Sequence, residues 1–261
     1  MSDVPVDPRR RFSAAADDYH RNRPSYPGAL VEWILETAAV PRPGRIADVG
    51  CGTGIATRLF ASRGHALVGV DPNEDMLAFA RQAGGGPTYV RGEAAATGLA
   101  EASFDLVIVA QALHWIAFPE FTAEARRILK PPGWAAAFWN LRQSGPFLDE
   151  YERLLKAESP EYSRVPRAKD AIKAIRTSPD VADLREAEFE NAQELDREGF
   201  FGRAHSSSYV AHGLRDRGAF DAALAALFEK HQRDRRVTLR YRCVALLMRV
   251  SPGGGASERG L

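Results

Sequence analysis

Cysteine and long apolar runs are the two features that this sequence most clearly lacks. Only Cys51 and Cys243 occur among 261 residues, and no C-x-x-C pair is present. These counts exclude a disulfide framework and a cysteine-based metal site, so we expect no metal and a reducing compartment. The most apolar stretch, 106–118, contains Gln111 and His114 and is too short to span a bilayer. Because no apolar segment follows the charged N-terminal residues, we expect a soluble, cytoplasmic protein.

An excess of charge of one sign is also missing. The 35 Lys and Arg residues nearly balance the 34 Asp and Glu residues, which leaves a formal net charge of +1. This balance provides no bulk attraction to nucleic acid or to an anionic membrane, so neither is expected as a partner. Hydrophobic residues make up 45% of the chain, which is enough for an ordinary globular core.

What the sequence does contain is a regular alternation of short apolar runs and amphipathic segments between 44 and 141. Strands of a mostly parallel sheet, joined by right-handed helical crossovers, produce this alternation. The predicted strands are 45–49, 67–70, 88–91, 104–110 and 134–140. The predicted helices are 55–62, 74–82 and 118–129. The pattern therefore predicts an α/β fold with helices on both faces of the sheet.

The rest of the chain flanks this core. Residues 1–42 hold a basic, aromatic lead-in and one helix, in which Leu30, Ile34 and Ala38 recur at helical spacing. Residues 43–250 form the main domain, with a charge-rich helical insertion at about 145–180. After it we predict strands at 184–192 and 236–250 and helices at 196–205 and 216–233. Residues 251–261 have no periodic apolar residues and are predicted to be a disordered tail.

A glycine-rich turn marks the candidate site. The predicted strand that ends at Val49 is followed at once by Gly50, Gly52 and Gly54, after which a helix begins. Glycines let a backbone turn tightly and bring its N–H groups close to a ligand. Asp71 ends the next strand, where a carboxylate can accept hydrogen bonds from ribose hydroxyls. The pattern predicts a nucleoside site at the carboxyl edge of the sheet.

The spacing of the glycines argues against a dinucleotide. The dinucleotide fingerprint is G-x-G-x-x-G/A, and its third small residue would fall at position 55. That position is Ile55, and the third glycine stands one residue earlier. A nicotinamide-dependent oxidoreductase is therefore disfavoured, although binding of NADH would revive it.

Further motifs narrow the pattern to a family. They are DVGCGTG (48–54), VDPNEDML (70–77), GEA (92–94), SFDLVIVAQALHW (103–115), EARRILKPPG (124–133), the lead-in FSAAADDYHRNRPSYP (12–27) and SSSY (206–209). With them the chain resembles, over roughly residues 12–250, the class I small-molecule methyltransferases that use S-adenosylmethionine (SAM). Within that class it is similar to the trans-aconitate methyltransferase-like (methyltransferase type 11) group. One departure is Ala95, where relatives often carry Glu, so a polar role of that position is in doubt.

The resemblance implies a Rossmann-like class I methyltransferase fold, with a seven-stranded, mostly parallel sheet and helices on both faces. It also implies that the N-terminal helices and the 145–180 insertion form a helical lid over an acceptor pocket. SAM would be the cofactor and S-adenosylhomocysteine the product. A small-molecule methyl acceptor is the expected partner, and the protein is expected to be a monomer or a homodimer.

Matched residue by residue, the resemblance implies cofactor contacts from the lead-in, the glycine turn, and the ends of the second, third and fourth strands. These residues are Tyr19, Arg23, Gly50, Gly52, Gly54, Asp71, Pro72, Met76, Glu93, Ala94 and Gln111. Three of them have a plainer interpretation: Met76 as core, Glu93 as a solvated loop acid and Arg23 as part of a solvated surface.

Methyl transfer from a sulfonium is an in-line displacement that depends mainly on proximity and alignment, so it requires no Ser-His-Asp or Cys-His arrangement. His114 is the predicted catalytic residue, a general base for a hydroxyl or amine, with a structural histidine as the alternative. Trp115 and Trp139 are predicted to bind on the substrate side, since aromatic rings can face a sulfonium.

The acceptor atom is predicted to be a carboxylate or hydroxyl oxygen, with an amine close behind. One alternative is a non-catalytic SAM-binding regulator or partner subunit. A nucleic-acid methyltransferase is less favoured, because the charge count shows no basic excess.

Overall fold

The structure is a computed structural model that describes residues 22–251 of the chain. Tyr19 and residues 252–261, which include most of the predicted tail, lie outside the described residues. The strands are β1 (Arg45–Val49), β2 (Ala66–Asp71), β3 (Thr88–Arg91), β4 (Phe104–Ala110), β5 (Leu129–Arg142), β6 (Val181–Leu195) and β7 (Val237–Val250). They form one seven-stranded sheet in the order β3-β2-β1-β4-β5-β7-β6.

The direction of the strands divides the sheet into two parts. Strands β1 to β5 pair in parallel, whereas β7 is antiparallel to both β5 and β6. Parallel strands need a crossover connection, which the helices provide, and the antiparallel strand β7 lies between β5 and the edge strand β6. The predicted seven-stranded, mostly parallel α/β sheet is therefore confirmed.

Helices cover both faces of this sheet. They are α1 (Gly28–Thr37), α2 (Ile55–Ala61), α3 (Glu74–Gln82), α4 (Phe118–Ile128), α5 (Pro146–Glu158), α6 (Ala168–Thr177), α7 (Arg197–His205), α8 (Ser208–Ala211) and α9 (Arg217–His231). Two short 3-10 helices span Leu113–Trp115 and Pro160–Ser163. Between residues 22 and 251, no helix combines the length and the hydropathy that crossing a membrane requires.

The central strands contribute to two core layers at once. On β4, Leu106 and Ile108 point to one face and Val107 and Val109 to the other, and all four are fully buried. The first face packs against α1 and α2, and the second against α4 and α6. Burial on both faces explains why this strand is a continuous apolar run instead of an alternating one.

Strand β7 links the sheet to a third core. Near its start, Val237, Leu239 and Tyr241 alternate with more exposed residues and pack against α5, α7, α8 and α9. From 243 to 248 every residue is buried between the two main layers. We call the group of α5, α7, α8 and α9 the helical cap. The helical cap lies beside the carboxyl end of β5, because that end of β5 pairs with the first half of β7.

The structure corrects the lid predicted from the sequence. Helix α1, assigned to an N-terminal lid at 1–42, is a core helix, because Leu30 and Ile34 are fully buried against the sheet. The 145–180 insertion divides between two layers. Helix α5 joins the helical cap, whereas Ile172 and Ile175 of α6 pack on the sheet face beside α4. An apolar helical stripe predicts burial but does not specify which surface it covers.

Boundaries differ most in β5 and β6. β5 begins at Leu129 instead of 134, and β6 extends over Val181–Leu195 instead of 184–192. The backbone ladder of β6 continues through polar residues, since strand pairing uses main-chain groups and an exposed face tolerates charge. The short helix α8 was not predicted.

The turn between β1 and α2 uses backbone conformations that favour glycine. Gly50, Gly52 and Gly54 have positive φ angles of 71°, 53° and 77°. A Cβ at position 54 would also clash with the hydroxyl group of Tyr89, which is buried against α3. The third glycine is therefore required both for its φ and for the packing of β3.

We expect Gly54→Ala to lower the free energy of unfolding by about 2–4 kcal/mol, the sum of left-handed strain and overpacking. Gly64 is a matched control, because its φ is 84° but no atom lies within 4 Å of the Cβ position. Gly64→Ala should lose only the strain, about 1–2 kcal/mol. Urea unfolding measures both, and equal losses in the two variants would show that the Tyr89 contact is unimportant.

Candidate functional site

Two adjacent cavities lie at the carboxyl edge of the parallel strands, where the sequence predicted the site. The larger has a volume of about 450 Å³. Eight of the eleven predicted cofactor residues line it: Gly50, Gly52, Asp71, Pro72, Met76, Glu93, Ala94 and Gln111. The fold therefore gathers residues that are spread over about 60 positions of sequence into one wall.

The smaller cavity has a volume of about 60 Å³ and shares part of its wall with the larger one. The shared residues are Gly50, Gly52, Ala110 and Gln111. Its other walls include Arg23, Asn140, Arg203 and Tyr241. The smaller cavity thus joins the glycine turn to the lead-in, the end of β5 and the helical cap.

The first two glycines of the turn face these cavities. No atom lies within 4 Å of the Cβ position of Gly52, whereas a Cβ on Gly50 would lie 2.7 Å from the Cβ of Ala112. A ligand can therefore approach this backbone closely. Gly54 lines neither of the two cavities, and its place in the structure is explained by the turn and by the packing of Tyr89.

The carboxylate of Asp71 is held by two backbone N–H groups. Oδ2 accepts from Gly52 at 2.9 Å, and Oδ1 accepts from Asn73 at 2.9 Å. Burial raises the pKa of Asp71 above its ordinary value, although these two hydrogen bonds favour the charged form. Each carboxylate oxygen keeps a further lone pair for a donor in the larger cavity. Asp71 is therefore oriented to accept hydrogen bonds from hydroxyl groups there.

Met76 stands beside Asp71 at the start of α3. The side-chain Oδ1 of Asn73 caps this helix by accepting from the N–H groups of Asp75 at 3.0 Å and Met76 at 3.2 Å. Met76 is only 3% exposed and also lines the larger cavity. Met76 is therefore both a core residue and part of the cavity wall, and its contact with a cofactor stays a prediction.

Glu93 and Gln111 occupy turns at the ends of β3 and β4. Glu93 exchanges backbone hydrogen bonds of 3.3 and 3.0 Å with Ala96, and its exposed side chain borders the larger cavity. Gln111 has a φ of 57°, an uncommon conformation for a residue with a side chain. Its N–H donates to the carbonyl of Phe138 at 2.9 Å. Backbone strain of this kind concentrates at functional sites.

Arg23 is anchored in the smaller cavity instead of lying on a solvated surface. Its Nη2 donates to the carbonyl oxygen of Ser206 at 3.0 Å. The neighbouring carbonyl of Ser25 accepts from Asn191 Nδ2 at 2.8 Å and from Asn140 Nδ2 at 3.2 Å. Side chains of β5 and β6 therefore hold this part of the lead-in across the carboxyl ends of those strands.

His114, the predicted general base, is tied to a tryptophan. The indole Nε1–H of Trp139 donates to His114 Nδ1 at 3.2 Å. Because an indole nitrogen only donates, Nδ1 carries the ring's lone pair and the neutral imidazole holds its proton on Nε2. Burial, with the positive charge of Arg23, lowers the pKa of His114 to about 4. The lone pair is thus engaged, and the geometry favours the structural alternative over a general base.

The two predicted substrate-side tryptophans have different surroundings. Trp139 is fully buried in the sheet core with Val244 and Met248 and lines neither of the two cavities. Its predicted substrate contact is corrected, because β5 is buried on both faces and this side chain points into the core. Trp115 lines the larger cavity, where the predicted cofactor residues lie. Arg203 lines the smaller cavity, so the two side chains border different spaces.

Asp48 is a buried acid that the sequence analysis did not single out. It is fully buried, and its Oδ2 accepts from Thr57 Oγ1 at 2.6 Å. Burial raises the pKa of Asp48 to about 7, and the charge of Asp71 adds to this effect while the Thr57 hydrogen bond opposes it. The pair holds α2 against β1 beneath the glycine turn.

A group of arginines and phenols beside the smaller cavity was also missed. It consists of Arg142, Arg203, Tyr151, Tyr162, Tyr209 and Tyr241. The motif SSSY was the available signal, because Ser207 Oγ accepts from Arg203 Nη1 at 3.2 Å and the Ser206 carbonyl binds Arg23. These residues belong to β5, β7, three helices of the cap and the 3-10 helix Pro160–Ser163, so only the tertiary structure assembles them.

Comparison with known families identifies one class for the central segment. Residues 47–137 match the family model described as a methyltransferase domain. The match includes the glycine turn, Asp71 and Gln111. A solved structure from Anaeromyxobacter dehalogenans, proposed to be a type II methyltransferase, superposes with a TM-score of 0.66 and 28% identity, covering 88% of this chain and 99% of that one. The architecture is the Rossmann-like class I methyltransferase fold.

Curated relatives match a shorter region. The uncharacterized methyltransferase Rv3342 of Mycobacterium tuberculosis is 38% identical over 131 residues, which are 50% of this chain and 52% of that protein. The malonyl-[acyl-carrier protein] O-methyltransferase of Erwinia pyrifoliae is 37% identical over 106 residues, which are 39% of each chain. The chain therefore spans about half the length, or less, of these curated relatives.

We expect His114 to stay neutral, as the Nε2–H tautomer, from pH 8 down to about pH 5, because its pKa is lowered to about 4. The unfolded chain binds this proton near pH 6.5, so the histidine stabilises the fold above that pH and the contribution is lost toward pH 4. Imidazole ¹⁵N NMR reports both pKa and tautomer. Trp139→Phe removes the indole donor and should abolish the preference of His114 for the Nε2–H tautomer, whereas the control Trp33→Phe should keep it. A His114 ring that titrates near pH 6.5 in the wild-type protein would contradict the lowered pKa.

Asp48 should make the fold less stable as the pH rises from about 4 to about 7, because the folded state retains a proton that the unfolded chain releases. Asp48→Asn has no carboxyl group to ionise, so it lacks this pH-dependent loss of stability. Its free energy of unfolding, relative to wild type, should therefore increase by about 2–3 kcal/mol between pH 5 and pH 8 in urea titrations.

Asp105→Asn provides the control for this pH experiment. Although burial acts in the opposite direction, hydrogen bonds from Lys130 and the Arg45 backbone lower the pKa of Asp105. Its relative stability should stay constant between pH 5 and pH 8, since both folded and unfolded states are ionised there. Parallel pH profiles for the two variants would refute the assignment of Asp48.

Proposed function

We propose that this chain is a SAM-dependent methyltransferase that acts on an oxygen atom, carboxylate or hydroxyl, of a small-molecule acceptor. The observation that carries the proposal is the pair of adjacent cavities at the carboxyl edge of a class I methyltransferase sheet. Gly50 and Gly52 line both cavities, so one ligand bound along this turn would reach from the larger cavity into the smaller.

The residues of the larger cavity fit a nucleoside cofactor. Gly52 leaves open space where a side chain would stand, and Asp71 keeps lone pairs free for ribose hydroxyls. Met76 and Trp115 supply apolar and aromatic surface for the adenine ring. Arg23 would hold the methionyl carboxylate. When bound, SAM supplies a methyl group activated by attachment to a sulfonium.

The chain's own contribution to catalysis is alignment in an enclosed space. With SAM bound, the acceptor oxygen would bond to the methyl carbon as the C–S bond breaks and its electron pair stays on sulfur, so the chain has to hold these three atoms in line. Positive charge disappears in this step, so a cavity that excludes water favours it. Holding the two reactants in line supplies much of the rate acceleration, about 7–11 kcal/mol in well-oriented systems.

A carboxylate acceptor suits this cavity better than a hydroxyl. The described residues that line the smaller cavity include neither a carboxylate nor a histidine, and the lone pair of His114 is engaged by Trp139. A hydroxyl acceptor needs a base to take its proton, whereas a carboxylate is already ionised at neutral pH. The O-methyltransferase among the curated relatives supports an oxygen acceptor.

The proposal also covers the methyltransferase subgroup, the lid, the oligomeric state and the cellular compartment. The SSSY motif and the lead-in motif support membership of the trans-aconitate methyltransferase-like group. The hydrogen bond from Arg23 to Ser206 supports a lid made by the lead-in and the helical cap over the smaller cavity. A cytoplasmic monomer or homodimer is the expected form.

Calorimetric titration with S-adenosylhomocysteine, with NADH as the control ligand, tests the cofactor. Saturable binding of S-adenosylhomocysteine alone is the expected result, and binding of NADH alone would revive the oxidoreductase. Labelled SAM is then offered with small carboxylic acids, phenols and amines. Tight cofactor binding without turnover on any acceptor would favour the non-catalytic SAM-binding alternative.

Asp71→Ala should weaken S-adenosylhomocysteine binding by about 1–3 kcal/mol, or roughly 5- to 150-fold, because the hydrogen bonds to the ribose hydroxyls are lost. Asp75→Ala is a matched control, since Asp75 is an exposed acid four residues away that lines neither of the two cavities. Calorimetry measures both variants. Wild-type affinity in Asp71→Ala would mean that the ribose site lies elsewhere.

A further inference from the structure

Arg203 is a buried cation at the wall of the smaller cavity. Its side chain extends from α7, in the helical cap, and the residue is only 7% exposed. Nη1 donates to Ser207 Oγ at 3.2 Å, but Nε has no hydrogen-bond partner. A buried guanidinium N–H without an acceptor is costly, so a ligand that supplies one would be stabilised here.

Arg142, at the end of β5, provides a second positive charge in the same group. Its Nη2 donates to the hydroxyl of Tyr162 at 2.8 Å, and its guanidinium carbon lies 5.3 Å from the ring centre of Tyr151. The Tyr151 hydroxyl is itself buried and has no hydrogen-bond partner. Neutral phenols therefore surround this arginine where a carboxylate would ordinarily pair with it.

Neither guanidinium has an acidic partner among the residues that the structure describes. Over residues 22–251, no carboxylate forms an ion pair of 4.0 Å or less with Arg142 or Arg203. The charge of Arg142 helps to lower the pKa of Glu152, but that carboxylate is paired with Lys156 at 2.8 Å on the same helix. Two cations therefore share one enclosed region without a counter-ion from the described chain.

The pKa of one phenol in the group, Tyr209, responds to this positive charge. Burial acts to raise the pKa of Tyr209, yet the charges of Arg142 and Arg203 lower it below its ordinary value. Burying two like charges opposes folding unless an anion offsets them. Guanidinium groups with hydroxyl donors around them are the protein groups best suited to bind planar oxyanions.

We propose that Arg203 and Arg142, with the hydroxyls of Tyr151 and Tyr241, form an anion subsite that binds a carboxylate, or another oxyanion, of the methyl acceptor. The assignment of this anion to the acceptor rests on the proposed function; the affinity for an anion does not. The subsite adjoins the glycine turn, because Arg203 and Tyr241 line the same cavity as Gly50 and Gly52.

The methionyl carboxylate of the cofactor is a second anion that could bind to these arginines. Arg23 also lines the cavity, and one guanidinium is enough to bind one carboxylate in bidentate fashion. Arg142 and Arg203 remain for a second anion. They belong to the end of β5 and to the helical cap, whereas the predicted cofactor residues belong to the lead-in and the parallel strands.

The first experiment compares charged and neutral probes on the wild-type protein. Malonate and malonamide are titrated by calorimetry, both into protein alone and into protein saturated with S-adenosylhomocysteine. We expect malonate to bind in both states and malonamide to bind at least about tenfold more weakly. Equal binding of the two probes, or no malonate binding in either state, would overturn the proposal.

Variants then locate the anion. Arg203→Met should weaken malonate binding at least about tenfold while changing the affinity for S-adenosylhomocysteine less than about twofold. Arg203→Lys should retain part of the malonate affinity, since it keeps the charge but not the fork of donors. Arg197→Met is the matched control, because Arg197 is an exposed residue on the same helix.

Two outcomes separate the possible failures. Loss of S-adenosylhomocysteine affinity in Arg203→Met, with malonate binding unchanged, would assign the subsite to the cofactor and overturn its assignment to the acceptor. Absence of S-adenosylhomocysteine binding in wild type would instead refute the proposed function, while the malonate titration of protein alone still tests the subsite. Melting temperatures check folding: removal of an unpaired buried charge should leave the temperature unchanged or raise it.

Discussion

The carbonyl oxygen of Val70, at the end of β2, is the acceptor on which the geometry of the site depends. It accepts from the N–H groups of Gly50 at 2.8 Å and Cys51 at 3.1 Å. One residue later, the carboxylate of Asp71 accepts from Gly52 at 2.9 Å. Three consecutive N–H groups of the turn are thus satisfied by two consecutive residues of β2. The turn can follow this path only with positive φ angles, which is why glycines stand there.

The two cavities differ in how they are built. The walls of the larger one come from positions 50 to 120, which follow the order of the parallel strands. The smaller one combines residues near 23, 140, 203 and 241, which meet only when the lead-in and the helical cap pack over the end of β5. This division fits the proposed function, in which the sheet edge holds a common cofactor and the cap determines the acceptor.

The sequence pattern predicted β1 to β4 within a residue at each end, because each is a short segment with an apolar centre bounded by turn residues. In β5 every residue from 134 to 140 is buried, so the sequence pattern does not show which side chains point to which face of the sheet. The core position of Trp139 could therefore not be predicted. The same limit applied to His114. Its neutral state and its tautomer follow from burial and from one indole N–H, and neither is a property of local sequence.

The sequence by itself determined the α/β class, the glycine turn, the acid at the end of β2 and most of the wall of the larger cavity. These features depend on local spacing and on the strand-helix rhythm, which a linear pattern preserves. Only the tertiary structure decided that α1 is a core helix and that α5 and α6 separate. It also decided that Arg142 and Arg203 converge with no carboxylate of residues 22–251 paired to either. The reason is physical: charge and burial at a point depend on every segment packed there, including segments 60 residues apart in the chain.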